Sequence, residues 1–130
     1  MGMKEAYHRR KVHEHLSKYV YQQGMDGTAT GGTWDTYYEN ENTLQMAWIE
    51  WKRTTARKPR KLDLLTDLQD AWGTRAEKNG RRCAVVVCGP NGVYIFKSKA
   101  DYDIQRYWGP ITRAQAAHWI EHVLLSKEGV

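Results

Sequence analysis

The chain has 130 residues, of which 41% are hydrophobic and 27% charged; that is one domain with enough apolar material for a core, and it excludes wholesale disorder. No apolar run approaches the ~18–20 residues that cross a bilayer, and the first ten residues lack the apolar centre of a secretory signal, so a cytoplasmic protein with no membrane partner is expected. Twenty Lys and Arg against fifteen Asp and Glu leave a net charge of +5, which favours a polyanionic partner.

In chain order, a first helix is predicted over residues 3 to about 23, where Tyr7, Val12, Leu16, Tyr19 and Val20 recur at broadly helical steps without Gly or Pro. Gly24 ends it, and the Gly- and Thr-rich stretch 25–32 is a loop. Thr33 to Tyr38 reads as a strand of aromatic and β-branched residues, 39–42 as a polar turn, and Leu44 to Lys52 as the strand that completes a hairpin. Residues 53–61, with Pro59, form a loop. Lys61 to about Asn79 is a second helix, with Leu62, Leu65, Leu68, Trp72 and Ala76 on one stripe, Gly73 a weak point inside it, and Asn79-Gly80 as its stop. Arg82 to Cys88 is a central strand buried on both faces, turned by Gly89–Gly92 into Val93–Phe96. A short element starts in Asp101–Tyr107. Thr112 caps a last helix, with Gln115 at the capping-box position, running to about Lys127. The order α, β, β, α, β, β, α is an α/β domain spanning 1–130, with a crossover helix between the second and third strands.

Cys83 and Cys88 lie five apart in one strand, so they point to opposite faces and are expected to be buried reduced thiols. His118 and His122, in the order His-x-x-Glu-His, share a helix face at a spacing that suits zinc, but surface histidines are the expected reading. Most of the six Trp and eight Tyr belong to the core; Trp34, with either Tyr37 or Tyr38, is expected nearest a substrate.

The charge distribution is more informative than its sum. Residues 19–51 hold Asp26, Asp35, Glu39, Glu41 and Glu50 with no Lys or Arg, whereas Lys52, Arg53, Arg57, Lys58, Arg60 and Lys61 follow with no acid between them. An acidic stretch abutting a basic one suits a protein that binds both metal cations and nucleic-acid phosphates. Alternation along the strand puts Trp48, Glu50 and Lys52 on one face. Burying a Glu and a Lys side by side costs desolvation unless they are partnered or functional. Asp35, on the preceding strand, can face the same side. Two converging carboxylates make a hard-oxygen site for Mg²⁺ or Mn²⁺, which polarises a phosphate and generates a nucleophilic water. Lys52 beside them would orient that water or neutralise charge in the transition state.

Asp35 followed by Glu50-x-Lys52 at a strand end resembles the PD-(D/E)xK nuclease superfamily. Trp48-Ile49-Glu50-Trp51-Lys52-Arg53, then Leu65-Thr66-Asp67-Leu68-Gln69 on a helix, then Gly80 and the strand from Cys83 to Val87, resembles its VRR-NUC branch (virus-type replication-repair nucleases) over roughly residues 5–96. The resemblance implies a restriction-endonuclease-like core, with a mixed sheet flanked by helices. It implies that Asp35 and Glu50 bind metal, Lys52 assists the water and Gln69 supports the site, with a further acid on the first helix, Glu5 or Glu14, the latter favoured. Trp34 stands where the family has proline, which leaves Asp26, after Gly24-Met25, as a rival metal ligand. The implied activity is Mg²⁺- or Mn²⁺-dependent hydrolysis of DNA in phage or mobile-element replication, repair or recombination, with Arg53, Arg57, Lys58, Arg60 and Lys61 on the DNA backbone. A domain this small offers a limited footprint, which favours a homodimer on branched or structured DNA. The alternative is a non-catalytic module that uses the same scaffold and basic loop to bind nucleic acid or protein.

Overall fold

A computed structural model describes residues 5–25, 32–60 and 64–128. Strand β4 (Cys83–Gly89) is the centre of the fold, and its apolar run explains why. Alternate residues feed two separate cores: Cys83, Val85 and Val87 pack on one face of the sheet, and Ala84, Val86 and Cys88 on the other. A strand buried on both faces needs layers on both sides. Helices α2 (Asp67–Lys78) and α3 (Lys99–Asp103) cover the first face; α1 (Glu5–His13) and α4 (Arg113–Trp119), which runs on into a π-helical turn over Ile120–Leu124, cover the second. The two cysteines are buried free thiols on opposite faces, as their odd spacing predicts.

The sheet has six strands in sequential order: β1 (Val20–Gly24), β2 (Thr36–Asn40), β3 (Gln45–Arg53), β4, β5 (Gly92–Phe96) and β6 (Trp108–Ile111). Neighbours are antiparallel except β3 and β4, which run parallel and are joined through α2, the predicted crossover. It is a mixed sheet flanked by helices.

Two strands escape the periodicity. The first helix stops at His13 rather than near residue 23, and Val20–Gly24 pairs with β2 instead. Ser17 anchors the break: its backbone N–H and hydroxyl donate to the Glu121 carboxylate at 2.9 and 2.5 Å. This also gives the His-x-x-Glu-His segment its role, since Glu121 is taken up in holding the first turn while His118 and His122 are exposed. Strand β6 is the second, and pairs with β5 across a bulge. Helix α2 starts at Asp67, not Lys61, because Thr66 and Gln69 form a reciprocal capping box; residues 61–63 lie outside the described residues. Thr112 and Gln115 cap α4 as expected.

A polar relay crosses the core on the second face. The Trp51 indole N–H donates to the Tyr38 hydroxyl at 2.9 Å, and that hydroxyl lies 2.6 Å from His13 Nε2. The relay pins α1 against β2 and β3, so the helix is fixed relative to the end of β3, where the charged residues sit.

Candidate active site

The pairing of β2 with β3 places Thr36 opposite Ile49. One residue earlier, Asp35 therefore falls beside Glu50, and the contacts agree. The Asp35 N–H donates to Glu50 Oε1 at 3.2 Å, while the Trp51 N–H donates to Asp35 Oδ2 at 3.2 Å. The Asp35 side chain thus accepts from a backbone N–H of β3 just where the two strands part. Glu50 is only 2% exposed. Its Oε2 is 3.4 Å from Lys52 Nζ and accepts from Gln69 Nε2 at 3.2 Å. An open cleft of about 400 Å³ unites these four side chains with Glu5, Arg9 and Gly32.

The loop that delivers Asp35 is seated on α2 by close packing. Gly32 has φ +75°, and a Cβ there would lie 2.3–2.5 Å from the backbone of Leu68 and Gln69, so only glycine lets the loop approach the first turn of the helix. Trp34 is fully buried, with its indole N–H donating to Gln69 O at 2.8 Å and its ring against Gly73 and Trp72. Gly73, a weak point for a helix in isolation, is where α2 makes room for this ring. Trp34 is therefore a wedge in the core, not a substrate contact, and the same correction applies to Tyr38, buried in the polar relay. Tyr37 is half-buried against Trp48.

Electrostatics sharpen the picture. Burial pushes both carboxylic acids above the ordinary range; the Asp35 charge raises Glu50 further, and Lys52 offsets this only in part. For Asp35, hydrogen bonds from Thr36 and Trp51 and the Arg9 guanidinium, 3.8 Å away, pull the other way. Glu5 adds negative charge to both. A buried acid beside a half-buried one, their charges offset only in part by Lys52 and Arg9, is a donor set suited to a hard divalent ion. Asp35 and Glu50 would hold it. No three His, Cys, Asp or Glu side chains converge as a ready-made cage among the described residues, so a Mg²⁺-like ion here would keep water or substrate oxygens in its shell.

Of the residues singled out in the sequence, Asp35, Glu50, Lys52 and Gln69 come together. Glu14 does not: it is exposed beyond the end of α1, 3.4 Å from Lys11, whereas Glu5, the other candidate, lines the cleft. Asp26 and Lys61 lie outside the described residues. Arg53, Arg57, Lys58 and Arg60 are exposed, on the end of β3 and the loop after it, which is tied to the sheet by the Tyr94 hydroxyl donating to Arg57 O at 2.7 Å. Arg9 was not foreseen. Its signal was the Glu5/Arg9 spacing, which puts both on one face of a helix.

The scaffold that carries this cleft has the restriction-endonuclease-like fold. It is similar to the structure of Hjc, a Holliday junction resolvase from the archaeal hyperthermophile Archaeoglobus fulgidus, with a TM-score of 0.52 at 15% identity, over 86% of this chain and 98% of that one. No protein-family model matches the sequence, and no curated protein does. No helix among the described residues is long and apolar enough to cross a membrane.

Proposed function

We propose that this protein is a metal-dependent nuclease that hydrolyses phosphodiester bonds in branched or structured DNA. The observation that carries the reading is the convergence of Asp35, Glu50 and Lys52 in one cleft at the end of β3. Its similarity in fold to a Holliday junction resolvase supports the choice of branched DNA. A Mg²⁺ or Mn²⁺ ion bound by Asp35 and Glu50 would supply Lewis-acid polarisation of the scissile phosphate and a nucleophilic water at neutral pH.

The chain's own residues do the rest. Gln69 holds one Glu50 oxygen through its amide N–H, which fixes the direction of the carboxylate. Lys52 presents an ammonium group next to Glu50 Oε2, where it orients the attacking water and offsets charge that builds on the phosphate. Arg9 limits the negative charge around Asp35. Arg53, Arg57, Lys58, Arg60 and Lys61 hold the DNA backbone, so affinity falls steeply with salt. Membership of the VRR-NUC branch and a role in phage or mobile-element replication, repair or recombination belong to the same proposal on the strength of the motif resemblance, and action as a homodimer on the limited footprint of so small a domain.

The test is cleavage of labelled single-stranded, duplex, flap and four-way-junction DNA with Mg²⁺ or Mn²⁺, for wild type, Glu50→Gln and Lys52→Ala. Cutting by the wild type that EDTA abolishes and that falls at least ~10²-fold in both variants is the expected result. Wild-type binding without any cutting would leave the non-catalytic binding module as the function.

A further inference from the structure

Beyond the active cleft lies a second, larger recess of about 480 Å³ between α1, the β4–β5 turn and the start of α4, with His8, Gly89, Pro90 and Arg113 in its wall. A neighbouring recess of about 230 Å³ shares His8, Gly89 and Pro90 with it and adds Arg53 and Thr54. The two form one continuous groove. Arg113 Nη2 is 3.4 Å from His8 Nδ1, and the Tyr7 ring, 5.7 Å from the guanidinium carbon, backs the arginine. Among the described residues no Asp or Glu lines either recess, and no ion pair engages Arg53 or Arg113. Two guanidinium groups therefore flank one imidazole in a wall that itself carries no acid. Burial and the two arginines lower the His8 pKa, which is the electrostatic mark of that crowding.

The groove is tied to the active cleft by geometry. Lys52 and Arg53 are successive residues of β3, so one points to the cleft face and the other to the opposite face. Helix α1 repeats the division: Glu5 and Arg9 line the cleft, and His8 lines the groove. Glu5, His8 and Arg9 lie within five successive residues of α1, so the cleft and the groove adjoin along that helix, and a backbone that passes over the end of β3 beside α1 meets both. Arginine is suited to this task because its planar fork donates two hydrogen bonds to one phosphate.

We infer that His8, Arg53 and Arg113 form a second phosphate subsite, which grips the DNA strand where it leaves the active cleft. The inference rests on the nuclease reading for its ligand, but His8 and Arg113 lie outside the basic loop assigned above. With Nδ1 accepting from Arg113, the His8 proton sits on Nε2 and is free to donate to a phosphate oxygen, alongside the two guanidinium groups.

The test is binding of a labelled four-way junction by Glu50→Gln protein, which should not cut, with salt raised from about 50 to about 200 mM. Arg113→Gln, Arg113→Lys and, as a control, Lys18→Ala (an exposed lysine between α1 and β1 that lines neither the cleft nor the groove) are compared in that background, and wild-type cleavage is assayed in parallel. Arg113→Gln is expected to weaken binding roughly three- to tenfold at low salt and to reduce the slope of log Kd against log salt by about one. Arg113→Lys should recover the slope, and Lys18→Ala should change neither. A second readout, the His8 imidazole resonance of the wild type, should shift when the junction is added. Unchanged affinity and slope for Arg113→Gln with an unmoved His8 resonance would overturn the subsite, even if the wild type cuts DNA. A resonance that moves with inorganic phosphate but not with the junction would also overturn it, as a free-anion site. If the wild type cuts nothing yet the slope falls as expected, the nuclease reading fails and the subsite stands.

Discussion

Gly73→Ala sets two magnitudes against each other. In the middle of an exposed helix, alanine is preferred to glycine by about 1 kcal/mol. At Gly73, however, the new Cβ would lie 2.3 Å from Trp34 Cζ2 and 3.0 Å from Cε2. Trp34 has no room to yield: it is fully buried, its ring packs on Trp72 at 5.5 Å, and its N–H is bonded to Gln69 O. Overpacking costs about 1–3 kcal/mol, and a strained or lost hydrogen bond about 1 kcal/mol more. The expected net loss is about 2 kcal/mol, or a fall in Tm of roughly 6–10 °C for a domain of this size. Because Trp34 directly precedes Asp35, displacing it also shifts Asp35 against Glu50, so cleavage measured well below the Tm should fall further than the folded fraction. Thermal unfolding followed by circular dichroism gives the first quantity and initial cleavage rates the second. Gly24→Ala, whose Cβ meets nothing within 4 Å, is the comparison and should stay within about 0.5 kcal/mol of wild type. A Gly73→Ala protein with an unchanged or raised Tm would show that Trp34 relocates freely and does not set the position of Asp35.

Three further outcomes are expected. His13 has its pKa pushed down to about 4, by burial first and then by Arg9. A folded pKa below the unfolded 6.5 means that its contribution is complete above pH 6.5 and is lost as the pH falls towards 4. At pH 5 that loss is ~2 kcal/mol, so urea denaturation at pH 7 and pH 5 should show a smaller drop for His13→Gln than for wild type. Gln69 has two tasks: its side-chain carbonyl accepts from Thr66 N–H at 3.1 Å, and its amide donates to Glu50. Gln69→Glu keeps the cap acceptor but sets a second negative charge against Glu50, whereas Gln69→Ala also loses the cap, worth about 1 kcal/mol. Cleavage should therefore fall in both, with the larger loss of helix stability in Gln69→Ala; equal cleavage by wild type and Gln69→Glu would remove Gln69 from the site. Finally, Mg²⁺ should stabilise the fold by relieving the Asp35–Glu50 repulsion, by ~2.7 kcal/mol at a hundred times its Kd, which thermal unfolding reads as a raised Tm, and Glu50→Gln should lose most of that shift.

Much of this protein is written locally. The apolar run of β4 has one residue type on both faces, so burial on both sides, and hence helices on both sides, follow from the strand alone. The face shared by Glu50 and Lys52 follows from the two-residue strand repeat. The Thr112–Gln115 cap is a contact within one turn. Cys83 and Cys88 part to opposite faces for the same reason of local repeat. What local pattern could not decide is whatever depends on a distant partner. Residues 20–24 have helix-compatible spacing, but pairing with β2 and the Ser17–Glu121 anchor, 104 residues apart, make them a strand. Glu5 and Glu14 are both acids of the predicted first helix, and only its stop at His13 and the His13–Tyr38–Trp51 relay decide which end of it faces β3. Gly32 and Gly73 read as loop and helix flaw, and only the approach of the Trp34 loop to α2 gives each its purpose. The sequence by itself determined the alternation of faces, the caps and the motif, because these are set by neighbours a few residues away. Only the tertiary structure decided which acids share a cleft, because that is set by strand register and by helix docking across the sheet.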